Sequence, residues 1–394
     1  MKYDFDEVID RKGTHAVKVE RLPKGADKDS ISLWIADMDF ACAEPILKAL
    51  HERIDRKIFG YTMYEADECM DAVTGWMKKR YGWEESRENL FFCPGIVAAY
   101  AALINLLTEP GDGIVLQRPI YYPFTNKANS NGRIPVDNAL IYENGAYRID
   151  FEDLDRKMAD PANKVLVVCS PHNPTGRVWE REEIEKAMEI YKANECVVIS
   201  DEIWSDLTLP GFKHIPTQSV SKDARERTIA LYAPSKTFNL AGLVGSYHII
   251  YNRMLRDRVE KASSLSHYNS PNVLSVHALI GAYRPEGYQW VDELREVLKS
   301  NADYAYNYIL EHFKGVKLSK PEGTYMLYLD CEEWCKEHDT DMDTLLKAGV
   351  AVGVIWQDGR PFHRPYAIRL NLALPHVLVK EAFDRMDKYV FNAK

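Results

Sequence analysis

Residues 231–242 read LYAPSKTFNLAG, an apolar run that ends in Ala-Pro and then offers one lysine, Lys236, between a serine and a threonine. A lysine at such a place is either a solvated surface cation or an amine held in a pocket, where a desolvated lysine serves as nucleophile and base. The segment alone leaves both readings open. Other apolar runs end in Pro94-Gly95, Pro119-Ile120-Tyr121-Tyr122, Asn173-Pro174-Thr175-Gly176 and Asp201-Glu202. With Ser235-Lys236 these supply an amine, a carboxylate, a side-chain amide, a flat phenol and a glycine turn ahead of a helix. Gly95, Ile96 and Val97 open that helix, and exposed amides at a helix start bind an anion without any basic side chain.

The elements that must position these residues come next. Between about residues 85 and 285 the β-rich runs NLFFC, GIVLQ, KVLVVCS, CVVISDE, TIALYAP and SYHIIY alternate with helix-length segments such as Ile96–Leu107 and residues 180–193. Continuous apolar runs of this length are what strands buried on both faces look like, and their alternation with helices implies a largely parallel α/β sheet. Ligands of such sheets sit at the carboxyl ends of the strands, where the residues above lie. Pro285-Glu286-Gly287 breaks the pattern and a helix over residues 288–313 follows. After Pro321-Glu322-Gly323 come TYMLYLD, VAVGVIW and AIRLNLA, with a helical ending from Pro375. The expectation is a large α/β domain over 47–285 and a smaller α+β domain made of 1–46 and 286–394.

Composition narrows the partners. A formal net charge of −9 argues against nucleic acid or an anionic membrane, both of which favour a basic face, and leaves small molecules. The longest apolar run, Ile96–Leu107, falls short of the roughly 20 residues that span a bilayer. The start MKYDFDEVIDRKG has no apolar h-region, so a cytoplasmic location is expected. Seven cysteines without a Cys-x-x-Cys pair read as free, buried thiols, and the eleven histidines form no ligand cluster, so no metal site is expected.

Asn-Pro-Thr-Gly, then Ser-Asp-Glu, then Ser-Lys-Thr-Phe-Asn-x-x-Gly, in this order, resembles the fold-type I pyridoxal-phosphate enzymes of the aminotransferase class I/II superfamily, over nearly the whole chain. The resemblance implies a mostly parallel seven-stranded sheet between helices, pyridoxal 5′-phosphate as cofactor, an amino-acid substrate and a homodimer with shared active sites. Lys236 is similar to the lysine that holds the cofactor aldehyde as a Schiff base and, once freed, moves the substrate's α-proton. Asp201 corresponds to the carboxylate that pairs with the ring nitrogen, Asn173 to the donor to the 3′ oxygen, with a cis bond before Pro174, and Tyr121 to the stacking aromatic. Gly95, Ile96, Val97 and Ser235 would hold the phosphate, joined by Tyr61 of the partner subunit. Arg369 resembles the grip on the substrate carboxylate, with Ala36, Tyr121 and Asn173 completing the substrate side.

Three positions depart from the common pattern: Ala233 replaces a serine, Val244 replaces an arginine that helps bind the phosphate, and Trp204 replaces a tyrosine that meets the 3′ oxygen. The stretch SLWIADMDF, residues 32–40, and the APSKTFNLAGL context are similar to the cystathionine β-lyase, or C–S lyase, branch known as the MalY/PatB group. In that stretch Trp34 and Phe40 also suit core packing, and Asp37 and Asp39 a solvated turn. The resemblance implies β-elimination of sulfur amino acids to a thiol, pyruvate and ammonia. An aminotransferase is the second reading. A third is a cofactor-bearing regulatory protein that binds a transcription factor, against which an intact Lys236 and Asp201 argue.

Overall fold

Apolar residues that alternate along the strands build the large sheet of the computed structural model, which describes residues 1–392. Ile114, Leu116, Val165, Val167, Ile199, Ile229 and Leu231 pack on one face with Leu103 and Ile104 of the helix Ile96–Leu107. Val115, Leu166, Val168 and Val198 pack on the other, with Trp179 and with Ile184 and Tyr191 of the helix Arg181–Ala193. Because both faces are covered, these strands read as near-continuous apolar runs.

The strand order is Leu90–Cys93, Ser246–Ile250, Thr228–Tyr232, Val197–Asp201, Asn163–Cys169, Gly113–Arg118, Ile134–Ala139. Neighbours are parallel except around Ser246–Ile250, which is antiparallel to both of its partners. The seventh strand, Ile134–Ala139, has no counterpart among the runs read from sequence, because Pro135, Asp137 and Asn138 interrupt it. It is an edge strand, where proline and charge are tolerated and guard against further pairing.

A second sheet joins both ends of the chain. Ile31–Leu33 pairs in parallel with Val354–Asp358, followed in order by Ala367–Asn371, Met326–Asp330 and Lys317–Leu318. Two expectations change here. Pro285 starts the long helix Pro285–His312 instead of ending a pattern, since a first-turn position needs no N–H and suits the fixed φ of proline. The VAV of VAVGVIW closes the helix Met342–Ala351 and its following turn, and Gly353, at φ +70°, leads into the strand.

One core ties these parts to the lysine-bearing segment. Phe238, two residues after Lys236, stacks on Trp290 of the long helix at 5.5 Å, and Trp290 also meets Phe5, which packs edge-on against Phe40. We propose the division into 47–285 and 1–46 with 286–394; the helices Glu44–Ile54 and Pro285–His312 span its two junctions. All seven cysteines are free, six of them buried. No helix among the described residues is long and apolar enough to cross a membrane.

Candidate active site

At the carboxyl ends of the central strands lies a cavity of about 710 Å³. Ala36, Gly95, Ile96, Val97, Tyr121, Asn173, Asp201, Ser235, Lys236 and Arg369 all line it. Tyr61 does not: it stands fully exposed beyond the helix Glu44–Ile54, beside exposed Ile58, Phe59 and Met63.

Lys236 sits in the short turn Pro234–Thr237 that caps the strand Thr228–Tyr232. Its Nζ donates to the Ala36 carbonyl at 2.8 Å and lies 5.6 Å from the centre of the Trp204 ring. Burial, reinforced by the charge of Arg369, pulls its pKa down to about 8, against the opposing pull of Asp37 and Asp201. Asp201 ends its strand with few partners. Oδ1 accepts the Ile203 N–H at 3.2 Å, and Oδ2 meets the Cys169 thiol at 4.0 Å. Burial therefore pushes its carboxyl up to about 7, although Ile203 and Lys236 both favour the charge.

Arg369 lies buried in the strand Ala367–Asn371. Its Nη1 donates to Asn173 Oδ1 at 2.9 Å and its Nη2 to the Trp34 carbonyl at 3.3 Å, while Nε has no partner. Desolvation lowers its pKa to about 10, which leaves the guanidinium charged and under-partnered. The peptide bond from Asn173 to Pro174 is cis. Gly95, at φ +94°, turns its amide away from the cavity onto Ser246 Oγ and the Cys93 carbonyl, both at 3.0 Å. Gly95 thus supplies the turn, while Ile96 and Val97, the first residues of their helix, have amides without an intrahelical acceptor.

The family model for aminotransferase class I and II matches residues 28–386. The chain belongs to this family. It is 38% identical to cystathionine β-lyase PatB of Bacillus subtilis (strain 168), over 89% of this chain and 90% of that protein. It is 31% identical to protein MalY of Escherichia coli (strain K12), over 95% of each. The crystal structure of the PLP-bound C–S lyase from Staphylococcus hominis superposes with a TM-score of 0.91 at 34% identity, over 98% of both chains.

Within this aminotransferase-family fold, the loop of residues 34–40 is held from three sides above Lys236. Asn239 donates to the Met38 carbonyl at 2.9 Å and accepts from the Met38 amide at 3.0 Å. Asn371 Nδ2 donates to the carbonyls of Ile35 and Asp37, both at 2.7 Å. Arg11 binds Asp37 at 2.9 Å and Asp39 at 2.7 Å, and the fully buried Lys18 binds Asp39 at 2.7 Å and the Asp37 carbonyl at 2.8 Å. Asp37 and Asp39 are therefore clamped, not a solvated turn. Phe40 is core, whereas Trp34 faces the cavity and donates Nε1 to the Lys18 carbonyl at 2.9 Å.

The consequence of this clamp is a fixed Ala36 carbonyl, the acceptor for Lys236. Sequence reasoning missed Asn239 and Asn371, although Asn239 stands inside the quoted Ser-Lys-Thr-Phe-Asn motif and Asn371 two residues after Arg369 in the run AIRLNLA. Arg11 and Lys18 carry no local signal, being charges in a polar N-terminal segment. Trp204 is buried against Tyr325, edge-on at 4.7 Å, and Val244 lines the cavity at φ +55°, a strained angle for a β-branched residue.

Proposed function

We propose that this protein is a pyridoxal-phosphate-dependent carbon–sulfur β-lyase that converts a cysteine thioether to a thiol, pyruvate and ammonia. Lys236 and the under-partnered, buried Asp201 in one cavity support the cofactor, and the observation that carries the lyase reading is the likeness, over about nine-tenths of the chain or more, to cystathionine β-lyase PatB and the PLP-bound C–S lyase. The residues fit the cofactor: Asp201 lacks the N–H donor that a protonated ring nitrogen offers, and Ile96 and Val97 offer amides to a phosphate. When bound, pyridoxal phosphate supplies an electron sink for the pair left when the Cα–H bond breaks.

This chain's residues do the rest. Asp201 would hold the ring-nitrogen proton, Ser235 and the helix start would bind the phosphate, and Tyr121 and Asn173 would flank the ring. Arg369, with Nε free, takes the substrate carboxylate in a planar fork. Lys236 Nζ, hydrogen-bonded to the Ala36 carbonyl, is poised to take the α-proton as general base. The clamped loop of residues 34–40 closes one side of the cavity and limits water around that amine. Loss of the α-proton then expels the β-thiolate, and water completes the conversion to pyruvate and ammonia.

The proposal includes a homodimer in which Tyr61 of the partner subunit reaches the phosphate, supported by the exposed Ile58-Phe59-Gly60-Tyr61 segment. It also includes a cytoplasmic location, supported by seven free thiols. The deciding experiment follows L-cystathionine without added 2-oxo acid: pyruvate and homocysteine in equal, continuing amounts are expected. Turnover that stops after one equivalent and resumes with a 2-oxo acid would make the enzyme an aminotransferase.

A further inference from the structure

A second cavity, of about 260 Å³, lies between the helices Asp67–Tyr81 and Pro285–His312 and the segment following Trp204. It has no lining residue in common with the active-site cavity. Four cationic side chains, Lys79, Arg80, Lys213 and Arg295, line it with two carboxylates, Asp206 and Asp292, in a chain that is acidic as a whole.

Both guanidinium groups are fixed from behind. Arg80 lies over the Trp76 ring at 5.4 Å, with Nε 3.7 Å from the buried Asp206. Arg295 Nε donates to the Thr208 carbonyl at 2.6 Å and Nη2 to Thr208 Oγ1 at 3.2 Å. Their remaining edges converge on one atom, Asp292 Oδ1, which lies 2.6 Å from Arg80 Nη1 and 3.9 Å from Arg295 Nη1. The two arginine side chains are 12% and 22% exposed, whereas Asp292 is 58% exposed. So two preorganised, part-buried forks are answered at their focus by a single surface carboxylate.

The two acids differ in what they can give up. Asp206 is committed to Thr237 at 2.8 Å, Trp76 at 3.0 Å and the Tyr81 hydroxyl, all on the protein side. Asp292 makes contacts only to the arginines, so it is the group an incoming anion displaces. A carboxylate answers one fork, but a tetrahedral dianion presents an edge to each and leaves oxygens for Lys79 and Lys213. The volume of about 260 Å³ accommodates a phosphate group, and the adjoining cavity that shares Lys79, Tyr288 and Asp292 leaves room for the organic part of an ester. We propose that this cavity binds a small phosphate group, whose oxygens take the place of the Asp292 carboxylate between Arg80 and Arg295.

The test titrates inorganic phosphate into the cofactor-loaded enzyme, whose own phosphate position is already filled, and follows binding by calorimetry. Saturable binding at one site per chain is expected. Asp292→Asn should tighten it about fivefold by removing the built-in competitor, and Arg295→Met should weaken it roughly tenfold or more by removing one fork. A parallel titration with glycerol phosphate separates the two sources of such a group: tighter binding assigns an ester, equal or weaker binding the free ion. Should Arg295→Met fail to fold, the surface variant Asp292→Asn still decides. Absence of saturable binding, unchanged or weaker binding in Asp292→Asn, or unchanged binding in a folded Arg295→Met would each overturn the site.

Discussion

Asp201 and Glu202 are adjacent, both buried, and opposite in electrostatic state. Glu202 accepts from Ser200 Oγ and the Thr217 amide, each at 3.0 Å, from His214 Nε2 at 2.7 Å, and from the Tyr232 hydroxyl. Burial works against its charge, but His214, Tyr232 and Thr217 outweigh it and hold the carboxyl below its ordinary value. Asp201 suffers the same burial with one amide and a distant thiol, and its carboxyl rises to about 7. A strand end thus places one acid in a closed network and its neighbour at the wall of a cavity. The difference separates a carboxylate whose hydrogen bonds the protein completes from one that it leaves with few partners at a cavity wall.

Substitutions should split the pair cleanly. On the proposed mechanism Asp201→Asn keeps the shape but loses the hold on the ring proton, and Lys236→Ala loses the base; each should cost at least about 10²–10³-fold in kcat while the melting temperature holds or rises. Glu202→Gln turns an amide N–H toward groups that are themselves donors, and should destabilise the fold by about 2–4 kcal/mol. Its kcat per folded molecule should stay within about threefold. Steady-state kinetics and chemical denaturation of the three variants check this. Equal loss of kcat in Glu202→Gln and Asp201→Asn would collapse the distinction.

How much of this was readable in the sequence follows the same divide. The cavity-facing residues sit just past apolar runs, so the period of the strands and the rule of carboxyl ends were enough to collect Gly95, Tyr121, Asn173, Asp201 and Lys236. Glu202 stood in the same motif, but its partners His214, Thr217 and Tyr232 are scattered along the chain, and nothing local marks them as a network. The clamp of Arg11 and Lys18 on Asp37 and Asp39 was hidden for the same reason. Pro285 misled in a simpler way, since a proline marks a helix start as readily as a break, and the edge strand around Pro135 has no apolar run to mark it.

The pH dependence of stability tests the comparison without kinetics. In cofactor-free protein Asp201 keeps a proton between its ordinary 3.8 and about 7 that the unfolded chain has released. The folded state then binds more protons, so this group makes stability fall as pH rises through that window. Glu202 has the opposite sign: its contribution is present above its ordinary 4.5 and is lost as pH falls through its lowered folded value. The stability difference between Asp201→Asn and the wild type should therefore grow in favour of the variant as pH rises from about 4 to 7. The buried His172 and His248, whose lowered pKa values act with the opposite sign in that window, are common to both proteins and cancel in the difference. A difference that stays constant with pH would place the titrating group elsewhere.

The smallest expected effect is also the most discriminating for the closed network. Tyr232 donates its hydroxyl to Glu202, and burial together with that carboxylate raises its own pKa well above the ordinary value. Tyr232→Phe removes this one donor and keeps the ring, which stacks on Tyr247 at 5.8 Å. Ser200, His214 and Thr217 remain on the carboxylate, so Glu202 stays ionised and the loss should be about 1–2 kcal/mol. In a chain of this length that lowers the melting temperature by only about 1–2 °C. The lyase rate should stay within about twofold, because the network turns away from the cavity and Glu202 does not line it. A normal melting temperature with a tenfold slower reaction would show instead that Glu202 reaches the chemistry through Asp201, and that the two neighbours form one unit.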